Sequence, residues 1–126
     1  MADKTKSVTT TTTTTKAIDA KPAMTDADAK WFENLKGILR LYENTLASSG
    51  VIRSKATDGA ELTRVTRLGH ARWMGDQIIQ GIEPRHRDPL VALAHFGMIQ
   101  GLLWGENVFP MSALHDHARQ LYPEVR

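Results

Sequence analysis

Residues 89–105 constrain this chain more than any other stretch. They read Pro-Leu-Val-Ala-Leu-Ala-His-Phe-Gly-Met-Ile-Gln-Gly-Leu-Leu-Trp-Gly. The segment has no Asp, Glu, Lys or Arg, and it is apolar nearly all round at helical spacing. Gly97, Gly101 and Gly105 recur every four residues, so they fall along one side of such a helix. An interior glycine costs a helix about 1 kcal/mol relative to alanine. Gly105 suits the C-cap, but Gly97 and Gly101 need another reason. Close approach of a second helix backbone supplies one, either inside the domain or across a dimer interface. The segment is therefore predicted to be the buried central helix of a small α-helical domain, with Gly97 and Gly101 as helix-packing residues. His95 and Gln100 interrupt the apolar run, which falls short of the ~20 residues a bilayer span needs.

The rest of the chain supplies partners for that helix. Thr25 is suited to cap a first helix, with Asp26 and Asp28 in the turn where the helix dipole favours anions. Phe32, Leu35, Leu39, Tyr42 and Leu46 follow at helical spacing, and Ser48-Ser49-Gly50 ends the run. A second helix is predicted from Asp58, where Glu61 completes a capping-box pattern, to about Gln80, with Gly81 after it. Its apolar residues form two faces, Leu62, Val65, Gly69 and Trp73 on one, Met74, Ile78 and Ile82 on the other. Such a helix lies between two neighbours. Asp88 caps the third helix and Pro89 opens it. Ser112 is expected to cap a short fourth helix carrying Leu114, Ala118 and Leu121 and stopping at Pro123.

Two regions follow. Residues 1–23 form a low-complexity tail, with an unbroken threonine run from Thr9 to Thr15 and almost nothing apolar to offset its ordering entropy. Residues 24–126 form a single helical domain. The fold class is all-α: a small bundle of three main helices and a short C-terminal one around a buried central helix, with a disordered N-terminal tail.

Charge bears on function. The chain's net +2 resides in residues 1–22, and residues 23–126 carry equal numbers of acids and bases. A neutral domain argues against a strongly electrostatic nucleic-acid binder. Arg64 and Arg67, with Arg72, Arg85 and Arg87, still make a candidate interaction surface for phosphate or an acidic partner. Salt bridges to acids such as Asp76 and Glu61 are the alternative. A helix-turn-helix reading is disfavoured: the third helix offers almost no polar side chain to base edges, and the fourth, with His115, Arg119 and Gln120, could serve but is short and is not preceded by a tight turn.

No catalytic constellation stands out. The absence of cysteine removes thiol chemistry and disulfides. His115 and His117 stand two apart, on different helix faces, so no metal ligand set is assigned. His95 reads as a core histidine bonded to a neighbour. His86-Arg87-Asp88 spells a protein-kinase tripeptide, but a short helical chain without a glycine-rich loop cannot be a kinase, and Asp88 is explained by capping. The chain is read as non-enzymatic, with no cofactor.

His70-Ala71-Arg72-Trp73-Met74, Phe96-Gly97-Met98-Ile99-Gln100-Gly101-Leu102-Leu103-Trp104 and Ser112-Ala113-Leu114 resemble a family of small helical proteins encoded by bacteriophages and prophages. Their shared core is a Gln-Gly-x-Leu-Trp helix followed by a short capped helix. This chain departs from the pattern at Met98, where the family has an aromatic. The family has no assigned activity, so no site residue is carried over. The resemblance implies a phage origin and an accessory role in infection or a virion component. The leading expectation is a non-enzymatic accessory protein that binds another protein, such as a host factor, in the host cytoplasm or the virion. Two other readings stand beside it: a nucleic-acid-associated protein using the arginine surface, and a structural virion protein with an N-terminal arm.

Overall fold

The computed structural model describes residues 25–81 and 88–121. The expectations for residues 1–23, Ile82, Arg85, Arg87 and the stop at Pro123 lie outside those residues. The fold is an all-α bundle of four helices among the described residues: α1 (Asp26–Ser48), α2 (Arg64–Gln80), α3 (Pro89–Gly105) and α4 (Met111–Leu121).

Helix α1 begins where its residues require. Thr25 accepts a hydrogen bond from the Asp28 backbone at 3.1 Å, with Asp26 and Asp28 in the first turn. It ends in a Schellman motif. Gly50, at φ +79°, donates to the Ala47 carbonyl, and Val51 donates to that of Leu46. Val51 then folds back against the core.

Helix α2 starts six residues later than the Asp58–Glu61 pattern predicts. Gly59 sits at φ +81° inside a turn closed by Ala60 N–H to the Thr57 carbonyl, and that backbone cannot enter a helix. The capping box is made by Thr63 and Thr66, each side chain bonded to the other's backbone N–H. As expected, α2 lies between two neighbours, packing on both α1 and α3. Its buried face is Leu68, Gly69, Ala71, Met74, Gly75 and Ile78, whereas Leu62 and Val65 are exposed.

Asp88 and Pro89 open α3 as the sequence indicates, with Asp88 accepting from Leu90 N–H. Gly105 is the helix's last residue. Asn107, at φ +58°, takes the left-handed position and builds a second Schellman motif, Asn107 to Trp104 and Val108 to Leu103. Helix α4 begins at Met111. The Pro110 carbonyl accepts from Ala113 and Leu114, so Ser112 lies inside the first turn instead of capping it.

One core joins the four helices. Leu35 and Leu39 from α1, Met74 from α2, Ala92, Phe96, Ile99 and Leu103 from α3, and Leu114 and Leu121 from α4 are all buried in it. Burial of α3 is one-sided, because the side opposite Phe96 and Leu103 is open.

Candidate interaction surface

Seven residues of α3 form the open side. Leu90, Ala94, Gly97, Met98, Gly101, Trp104 and Gly105 are exposed, and at 3.6 residues per turn they fill a sector of about 120°. Leu90 is 77% exposed, Met98 56% and Trp104 52%. Large apolar side chains exposed together on one face mark an interaction surface more often than a solvated one. No charge interrupts the sector, because α3 has none.

The two glycines sit in the middle of this sector. A Cβ built on Gly97 or Gly101 meets no atom within 4 Å. The close helix contact expected of them inside the domain is therefore not there. What they leave is a shallow furrow in the exposed face, flanked by Leu90, Met98 and Trp104. The glycine under close approach is Gly69, on α2. The segment after α1 crosses it, and a Cβ there would meet Ser54 Oγ and lie 2.6 Å from the Ile52 carbonyl oxygen. Ser54 N–H donates to the Gly69 carbonyl at 3.1 Å, and Ala56 N–H to His70 Nδ1 at 3.0 Å.

Among the described residues, Arg64, Arg67 and Arg72 are each paired with a carboxylate. Arg64 donates to the Glu106 carbonyl at 2.6 Å and to its carboxylate at 3.2 Å. Arg67 reaches the same carboxylate at 2.5 Å and the Leu62 carbonyl. Their guanidinium groups hold the Glu106 carboxyl below its usual range, the Arg67 hydrogen bond first. Arg72 bonds the Glu43 carboxylate at 3.0 Å and the Val51 carbonyl at 2.6 Å. These contacts tie α2 to the end of α3 and to α1. Glu106 and Glu43 are the partners instead of Glu61, while Asp76 pairs with Arg53.

Sequence reasoning missed a polar cluster in the core. Gln100 Nε2 donates to Tyr42 Oη at 3.1 Å and to the Leu114 carbonyl at 3.0 Å. Tyr42 Oη lies 2.7 Å from His117 Nδ1. Burial pushes the Tyr42 pKa to about 12 and that of His117 below its usual value. Both groups are thus neutral at pH 7, and the cluster brackets α1, α3 and α4 together. Phe96 stacks on the Tyr42 ring at 6.2 Å, and Phe109 lies 5.3 Å from it. The interruption of an apolar helix by Gln100 was the available signal.

His95 is half-buried and donates Nδ1–H to the Val91 carbonyl at 3.0 Å, as a core histidine would. Among the described residues, no group of three or more His, Cys, Asp or Glu is placed to hold a metal ion, and no helix is long and apolar enough to cross a membrane. Two clefts remain. One of about 530 Å³ lies between α1 and α4, lined by Glu33, Asn34, Gly37 and His117 among others. A smaller one of about 270 Å³ is lined by Leu62, Arg67, His70 and Leu102 among others. Comparison of the chain with protein families, with curated proteins and with solved structures finds no match.

Proposed function

We propose that this chain is a non-enzymatic protein-interaction module, a bacteriophage accessory protein that engages a protein partner through the exposed side of α3. The observation that carries this reading is the charge-free sector of Leu90, Met98 and Trp104 around the Gly97–Gly101 furrow. Exposed tryptophan and methionine are residues that protein interfaces favour, and tryptophan is foremost among those whose truncation weakens binding. The resemblance of the Gln100-Gly101-x-Leu103-Trp104 helix to phage-encoded helical proteins supports the accessory role, in the host cytoplasm or the virion.

The arginine surface gives the nucleic-acid reading less support. Arg64, Arg67 and Arg72 are held by Glu106 and Glu43, and phosphate would have to displace those carboxylates. Affinity capture from a bacterial host, with Met98→Glu and Trp104→Glu beside the parent, tests the proposal. Proteins retained by the parent should be lost from both variants, while melting temperatures stay unchanged. Equal capture by parent and variants would remove α3 from the interaction.

A further inference from the structure

We infer that residues 55–60 form a flap released by a proton on His70, whose arrival at Nδ1 breaks the bond holding this segment on α2 and opens one wall of the smaller cleft. The inference is independent of the α3 face.

The segment between α1 and α2 is fastened in two different ways. Its first part is clamped. Arg72 donates to the Val51 carbonyl at 2.6 Å, and Arg53 pairs with Glu43 at 2.9 Å and with Asp76 at 3.5 Å. Ser54 N–H donates to the Gly69 carbonyl, and the lack of a side chain at Gly69 lets Ile52 and Ser54 lie against the helix. No histidine takes part in this clamp. The second part is held by far less. Thr57, Asp58, Gly59 and Ala60 are exposed. The bond from Ala60 N–H to the Thr57 carbonyl closes a turn within the flap and ties it to nothing else. Among the described residues, the one hydrogen bond from residues 55–60 to the rest of the chain is Ala56 N–H to His70 Nδ1, at 3.0 Å. Lys55 adds a cation contact, its Nζ 5.2 Å from the centre of the Trp73 ring.

That single bond is one a proton abolishes. A backbone N–H can only donate, so Nδ1 is the acceptor, and an imidazolium carries a hydrogen on both ring nitrogens with no lone pair to offer. Two hydrogens then face each other where the bond was. The surroundings of His70 set when this happens. Burial first, and then the Lys55 charge on the flap, lowers its pKa from 6.5. Asp58 on the flap and Arg67 on α2 line the same cleft with opposite signs, and Arg67 is bonded to Glu106. From α3 the cleft receives Leu102, which is uncharged. The flap is therefore closed at neutral pH and released as pH falls through the lowered value. Release takes Ala56, Thr57 and Asp58 out of the cleft wall. It uncovers Leu102, and the Trp73 ring stacked 5.4 Å from the then cationic imidazole.

Nuclear magnetic resonance of the full chain, titrated from about pH 7.5 to about pH 5, tests the flap. The Ala56 amide signal should move with the same midpoint as the His70 ring. Backbone order parameters of residues 56–60 should fall from about 0.85 to below about 0.6 across that midpoint, while those of residues 51–54 and of α2 hold. His70→Asn, whose side-chain oxygen accepts the same N–H and does not titrate, should keep the flap ordered at both ends of the range. His70→Phe keeps a ring against Trp73 but offers no acceptor, and should free the flap even at the upper end. Residues 56–60 that stay ordered with His70 protonated, that loosen equally in His70→Asn, or that stay ordered in His70→Phe overturn the proposal. So does a loss of order shared by residues 51–54 and α2, which is acid acting on the whole domain.

Discussion

Two glycines on neighbouring helices carry opposite expectations, and space alone separates them. A Cβ on Gly69 would lie 2.6 Å from the Ile52 carbonyl oxygen, a backbone atom that cannot swing aside. Gly69→Ala should therefore destabilise the domain by about 1–3 kcal/mol, overpacking outweighing the gain in helix propensity. Gly101→Ala meets nothing and should stabilise the domain by about 1 kcal/mol. Urea denaturation of the two variants checks both, and a stabilised Gly69→Ala would mean that the segment after α1 is not packed on α2. His70 gives a residue-scale pH dependence. Its Nδ1 accepts the Ala56 N–H, and burial first, then the nearby Lys55 charge, lowers its pKa from the usual 6.5. Across the interval between that lowered value and 6.5 the unfolded chain binds more protons than the folded one. Stability thus falls as pH drops through the interval and levels off below the folded value. His117 acts in the same direction. Melting temperature should decline on acidification from about pH 7 to about pH 5, and His70→Asn, whose side-chain oxygen can accept the same N–H, should flatten part of the decline. A melting temperature that rises over this range would contradict the assigned neutral histidines.

At the scale of elements, the helix starts are where local chemistry decides. Thr63→Ala removes the side chain that receives Thr66 N–H and should cost about 1 kcal/mol, whereas Asp58→Ala, in the turn before α2, should cost little. Chemical denaturation of the pair distinguishes the observed start of α2 from the predicted one, because a start at Asp58 reverses the order. The starts of α1 and α3 were legible in the sequence, since Thr25 and Asp88-Pro89 act within one turn of themselves. The start of α2 was not, because Asp58 and Glu61 match the capping-box spacing while Thr63 and Thr66 make the box with a threonine in the glutamate position. The backbone at Gly59, at φ +81°, decides between them. The candidate surface was half legible for a similar reason. The lack of charge and the spacing of the glycines in α3 can be read directly. Which side faces outward cannot, because a helix apolar all round has no polar face to mark the exterior. The positions of α2 and α4 settle it. The arginines show the same limit: their carboxylate partners, Glu106 and Glu43, lie too far along the chain for any local spacing to pair them.

At the scale of the whole molecule, charge pairing decides what this domain can attract. Residues 23–126 are neutral in sum, and within them the bases nearest one another on α2 are held by acids. Non-specific affinity for nucleic acid comes from phosphate contacts that release counterions, and a cation already bonded to a carboxylate releases few. A chain lacking residues 1–22 should therefore show little retention on duplex DNA at physiological salt. Glu106 is the group whose removal tests this account. Glu106→Gln deletes one negative charge and loosens the hold on both Arg64 and Arg67, so it should raise DNA retention at low salt and steepen its fall with added salt. The same substitution weakens the link between α2 and the end of α3, where the three side chains meet. Retention should thus rise while the melting temperature falls slightly, a combination that neither a larger basic patch nor simple unfolding produces. Measuring both on one preparation separates the causes. Sub-micromolar, salt-sensitive DNA binding by the parent domain would instead mean that phosphate displaces Glu106 from the arginines, and the nucleic-acid reading would then overtake the α3 surface.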